Sequence, residues 1–123
     1  MTAALAMAGC GGSSTHSPTT SNAAARAVFV AHVNSTCTRA NAAFRAANTH
    51  SGQVAVISHY IQVFRSIPAP ADVKPVYEKY IAVLEQELAA LKKGDTNELF
   101  SLAHNKAKPL VKQLGAVGCV TGS

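Results

Sequence analysis

The sequence predicts an all-α protein, an up-and-down four-helix bundle over residues 23–123 behind a flexible N-terminal tether. Three observations lead there. Apolar residues recur at helical spacing in four successive segments. The connections between them are short and rich in Gly, Pro and Asn, which makes sequence neighbours antiparallel. Hydrophobic residues make up 48% of the 123 residues while aromatics are only 6% and Trp is absent, the composition of an Ala-rich bundle. Charged residues are 14%, against about a quarter in an average soluble domain. That balance excludes a disordered acidic tail, and the length excludes a multi-domain enzyme.

The first helix is expected over 23–47, with Phe29, Val33, Cys37, Ala40, Phe44 and Ala47 along one stripe. Ser21 or Asn22 can cap its start, and the run Asn48-Thr49-His50-Ser51-Gly52 breaks it. Ala40, Ala43 and Ala47 allow a neighbouring helix to approach closely. The second helix, 53–66, places Val54, Ile57, Ile61 and Phe64 on one face. It is rich in β-branched residues, but it is long for a strand and lacks strict alternation. Pro68 and Pro70 end it. In the third, Asp72 is the expected N-cap and Pro75 falls in the first turn, where a missing N–H costs little. Tyr77, Tyr80/Ile81, Leu84, Leu88 and Leu91 then mark one face, and Lys92-Lys93-Gly94 suit a C-terminus. The fourth opens on Asp95-Thr96-Asn97-Glu98, a capping-box spacing, and continues through Leu99, Leu102, Ala103, Leu110 and Leu114. Pro109 is expected to kink or split it, and Gly115 and Gly118 to stop it.

The amino end reads as an address. Residues 1–9 are apolar, small and uncharged, and run into Cys10 through Ala8-Gly9. This pattern resembles the lipobox of bacterial lipoproteins, in which the Cys sulfur receives a diacylglyceryl group and the signal peptide is cut away. The resemblance implies that residues 1–9 are part of a signal peptide and that Cys10 is the lipidated first residue. Residues 10–22 would then be the anchored Cys and its tether, composed of Gly, Ser, Thr and Pro with one His. Two acyl chains on one Cys anchor a protein stably. The expected location is therefore extracytoplasmic, with the lipid bilayer as a partner. With Cys10 so assigned, Cys37 and Cys119 remain as an even pair, and the oxidising setting makes them a disulfide that closes the bundle.

The wider outline adds Cys37-Thr-Arg-Ala-Asn-Ala-Ala-Phe44, Ile67-Pro-Ala-Pro-Ala-Asp72, Tyr77-Glu-Lys-Tyr80 and Leu114-Gly-Ala-Val-Gly-Cys119. It resembles the small, Ala-rich, exported helical lipoproteins of actinobacterial type. That resemblance implies location and fold, and carries no catalytic residues.

Chemistry is harder to find. No nucleophile elbow, Walker loop, dinucleotide fingerprint, His-Glu-x-x-His or EF-hand occurs, and no enzyme is expected. Among the six acids, Glu78 and Glu85 are seven apart on one helical face, which reads as a solvated face flanking the core. His32, His59 and His104 fall on three different helices and are the residues that could meet around a metal or haem. Their spacing does not require it, so no metal or cofactor is expected. The formal charge of +5 is spread thinly, with Lys106, Lys108 and Lys112 as one modest patch suited to an anionic surface. Nucleic acid is not an expected partner. The leading expectation is a binding or interaction module at the cell envelope, meeting a protein or an anionic cell-wall polymer. The alternative is a carrier of a small apolar ligand or haem between the helices. A pocket above about 300 Å³ with one of the three histidines at its wall would mark the carrier. A filled core with an exposed apolar patch would mark the interaction module.

Overall fold

The computed structural model describes residues 18–119, and the lipidation expected at Cys10 lies outside them. The described residues form four helical runs and no strand. These are α1 (Pro18–Ala46), α2 (His50–Ser66), α3 (Lys74–Lys93) and a last run in three pieces. That last run consists of α4 (Thr96–Leu102), a π-helical turn (Ala103–Ala107) and α5 (Lys108–Leu114). A short 3₁₀ turn (Val117–Cys119) ends the described chain.

Helix boundaries follow local chemistry, with three corrections. α1 begins at Pro18 rather than Ala23, so 18–22 are helical instead of tether. Proline suits a helix start because its missing N–H would have no intrahelical partner there. α2 begins at His50 rather than Gln53, because Thr49 is the N-cap and its hydroxyl accepts the Gly52 N–H at 3.0 Å. Asp72 does not cap α3. The cap is Val73 without a side-chain hydrogen bond, and Asp72 instead meets Arg26 on the surface at 3.4 Å. Asp95 does cap α4, accepting the Glu98 N–H at 3.0 Å. Gly94 and Gly115 end α3 and α5 with φ of 74° and 76°, a left-handed conformation that side chains with a Cβ rarely adopt.

The core is one cluster in which Phe29, Val33 and Cys37 of α1 meet Phe64, Tyr77, Tyr80, Val111 and Leu114. Phe29 stands edge-on to Tyr77 with centroids 4.8 Å apart, and Phe64 edge-on to Tyr80 at 5.8 Å. Tyr77 donates its hydroxyl to the Phe64 carbonyl at 2.5 Å, and buried Thr36 donates to the His32 carbonyl at 2.8 Å. Among the described residues no buried side-chain nitrogen or oxygen lacks a hydrogen-bond partner. α1 packs on α2, α2 on α3, and α3 on the last helical run. The ring closes through the 3₁₀ turn, which packs on α1. There the Gly118 N–H donates to Asn34 Oδ1 at 2.8 Å, and Cys37 and Cys119 form a disulfide with Cα atoms 4.9 Å apart.

Candidate functional site

Pro109 shapes the site. Proline has no N–H, and in a regular helix its ring would strike the carbonyl four residues back, at Asn105. The chain answers by widening, and the Lys108 N–H donates to Ala103 O, five residues earlier. Buried residues along the last run are Leu102, Ala107, Val111 and Leu114. The step from 102 to 107 is one residue longer than helical packing allows, so the π turn absorbs an inserted residue. Such turns are frequent at functional sites. Here the turn carries Ala103 and His104 to the wall of a space between the helices.

That space has two adjoining chambers. The inner one is a cavity of about 100 Å³ and the outer one a groove of about 360 Å³. Ala40, Asn41, Ile57, Glu87, Ala103 and His104 border both, and so mark the throat. The walls arise from helical repeats facing one another. α1 supplies Cys37, Ala40, Asn41 and Phe44, and α2 supplies Ile57, Tyr60, Ile61 and Phe64. α3 supplies Tyr80, Leu84, Glu87 and Leu91, and Leu99 and Phe100 of α4 edge the groove. Ala40 and Ala103 leave the throat open where larger side chains would fill it. Ala40 thus makes space rather than bringing helices together.

Glu87 is the acidic group of this wall. It occupies a position of the 80, 84, 87, 91 repeat that otherwise holds Tyr and Leu, and it is half-buried. Among the described residues the ion pairs are Arg26–Asp72, Arg65–Glu85 and Lys93–Glu98, and none involves Glu87. Burial pushes its carboxyl up to about 7. Burial also raises the Tyr80 phenol well above its ordinary value, with the negative charge of Glu87 adding to the effect. The Tyr80 hydroxyl points at Cys37 Sγ, 3.7 Å away.

The residues singled out by sequence scatter. His32 is exposed on α1 and His59 is exposed on α2, edge-on to Tyr60. Only His104 reaches the two-chamber space, where its ring stacks on Phe100 with centroids 6.5 Å apart. Among the described residues no group of three His, Cys, Asp or Glu side chains could hold a metal. Lys108 turns inward to the cavity wall, Lys112 borders a groove between α1 and α5, and Lys106 is exposed. Lys112 is exposed as well, and it lies one turn from half-buried Lys108 on α5. Glu78 and Glu85 are exposed, as a solvated face requires, and Glu85 pairs with Arg65. Sequence reasoning missed His50, whose Nε2 meets the Leu91 carbonyl at 2.6 Å and ties α2 to the end of α3. It also passed over Glu87, though an acid on an apolar helical repeat was a readable signal.

Comparison of the chain with known protein families, curated proteins and solved structures finds no match.

Proposed function

We propose that this chain is a lipid-anchored, extracytoplasmic binding protein whose helical domain carries a small, mainly apolar molecule in the two-chamber space. The observation that carries the proposal is the 360 Å³ groove, walled by Phe44, Ile57, Leu91 and Leu99 and opening inward through small residues. Ligand sites are concave, mostly apolar spaces of about this size with a few convergent polar groups. The exposed large apolar residues favour the carrier over a partner-binding face. Phe100, 58% exposed, belongs to the groove rim, while Val28 and Val117 lie on separate elements. His104 stacks on Phe100 at the rim, which favours an organic ligand over haem. The Cys37–Cys119 disulfide supports an oxidising compartment. No helix among the described residues is long and apolar enough to cross a membrane. The attachment in this proposal is the lipid on Cys10, carried by the lipobox-like Ala8-Gly9-Cys10.

The test is titration with the apolar fluorophore N-phenyl-1-naphthylamine. Saturable binding of one molecule per chain is expected. Ala40→Phe and Ala103→Leu, which fill the throat from opposite sides, are expected to weaken binding at least tenfold, a loss of about 1.4 kcal/mol. Parent-like binding in both variants, with cooperative unfolding intact, overturns the proposal.

A further inference from the structure

We propose that the molecule held in this space has a cationic head, an ammonium group on an apolar body, and that Glu87 receives it as an ion-pair partner at the throat. The inference rests on the apolar-carrier reading above and identifies the class of ligand. Any occupant of both chambers must pass Glu87, because that residue borders each of them. A carboxylate half-buried against apolar walls is costlier to keep charged than one in open water unless a cation or hydrogen-bond donors meet it. None of the ion pairs among the described residues provides one. A neutral ligand would bury the carboxylate further, and an anion would repel it. An ammonium offsets the cost directly.

The other polar groups around Glu87 come from every neighbouring element. Asn41 and Arg45 face the space from α1, Tyr60 from α2, Tyr80 from α3, His104 from the π turn and Lys108 from α5. Arg45 borders only the outer groove and Lys108 only the inner cavity, so the two cations stand at opposite ends with Glu87 between them. Both have long stems that can turn their charges to solvent. The throat itself presents one carboxyl, the Asn41 amide and the imidazole of His104. Since burial lifts the Glu87 carboxyl to about 7, an arriving cation favours the ionised form and releases a proton near neutrality. Affinity for a permanently charged ligand therefore rises between pH 6 and 8.

The experiment uses the full chain and three probes of equal chain length: dodecyltrimethylammonium, dodecanol and dodecanoate, each below its micelle concentration. Displacement of N-phenyl-1-naphthylamine reads their binding. The quaternary ammonium keeps its charge at every pH, so any pH dependence belongs to the protein. It is expected to bind about tenfold more tightly than dodecanol at pH 8, and less tightly at pH 6. Glu87→Gln is expected to erase both the preference and the pH dependence, so that the ammonium and the alcohol bind alike at pH 6 and pH 8. His104 borders the same throat, so His104→Gln is measured alongside and is expected to keep the preference and its pH dependence. Loss of ammonium binding in Ala40→Phe places the probe in the throat. Equal affinity for ammonium and alcohol overturns the cationic head while leaving the apolar carrier standing. Tighter binding of dodecanoate overturns it in favour of Arg45 and Lys108. Failure of all three probes and the fluorophore to bind overturns the carrier and the cationic head together.

Discussion

At the scale of the residue, Glu87 stands out because its position is set by helix geometry and its charge opposes that position. Residues 80, 84, 87 and 91 share one face of α3, so a side chain at 87 is carried toward the interior whatever its polarity. The folded carboxyl titrates near 7, above its ordinary value of 4.5. A raised acid contributes no penalty below the unfolded value. It lowers stability progressively as pH rises through the folded one, and the loss levels off above that. The gap corresponds to roughly 3 kcal/mol, a large part of the stability of a small domain. Glu87→Gln keeps the shape and removes the charge. Urea unfolding should give equal stabilities for parent and variant near pH 4, with the variant ahead by about 2–3 kcal/mol at pH 8. Parallel pH profiles would show that the carboxyl is better solvated than its setting implies. A residue this costly in the empty protein is understandable where a bound cation offsets it, because binding and folding share the same linkage.

At the scale of the element, the last helical run illustrates how one proline and one extra residue make a wall. The π turn lets Leu102 and Leu99 face the same core as Val111 and Leu114 despite the inserted residue between them. Removing exposed Asn105 would regularise the helix without rotating either flank, but would leave Pro109 inside a regular helix at a cost of about 3 kcal/mol. Deletion of Asn105 together with Pro109→Ala avoids that cost. The double variant is expected to retain helical circular dichroism and cooperative unfolding, and to lose apolar-probe binding about tenfold or more. The single deletion should unfold at markedly lower urea. Parent-like binding in the double variant would detach the π turn from the site. The same run shows what a sequence discloses. Asp95, Gly94 and Gly115 were legible because caps depend on a few consecutive residues. Pro109 was legible as a disruption, but its form was not, since the missing register step appears only once Leu102 and Val111 are known to face one core. The throat was less legible still. Ala40 and Ala103 are ordinary small residues until two helices bring them together across a gap. Lys108 and Lys112 share a face of α5 as their spacing predicts, but only the fold shows that Lys108 is half-buried at the inner cavity while Lys112 is exposed.

At the scale of the whole molecule, the disulfide and the expected anchor bear on one question, where this domain works. The bridge spans 82 residues and joins the middle of α1 to the end of the described chain. In the chain-entropy view a loop of that length contributes about 4.5 kcal/mol, less any strain. For a body of about 100 residues, which buries only some two-thirds of its unfolded surface, that contribution is comparable to the net stability. A cytosolic protein would not hold such a bond reliably, whereas an exported one can depend on it. The start of α1 sharpens the geometry of attachment. Eight Cα steps separate Cys10 from Pro18 at the start of α1, a span of at most about 29 Å. The pocket face of α1 begins at Cys37, roughly 28 Å further along the helix axis. A lipid on Cys10 would hold α1 by one end and leave the pocket at the other. Expression behind a complete signal sequence, in a bacterium fed labelled palmitate, should therefore place label on the protein. Reduction of that exported material should release two further thiols, those of Cys37 and Cys119. Cys10→Ser should abolish the label and shed the protein from the membrane fraction while the two thiols stay paired, because the bridge lies wholly within the bundle. Label that persists in Cys10→Ser would remove the anchor. Thiols free before reduction would remove the oxidising compartment, and with it the reason for tying the two ends of the fold together.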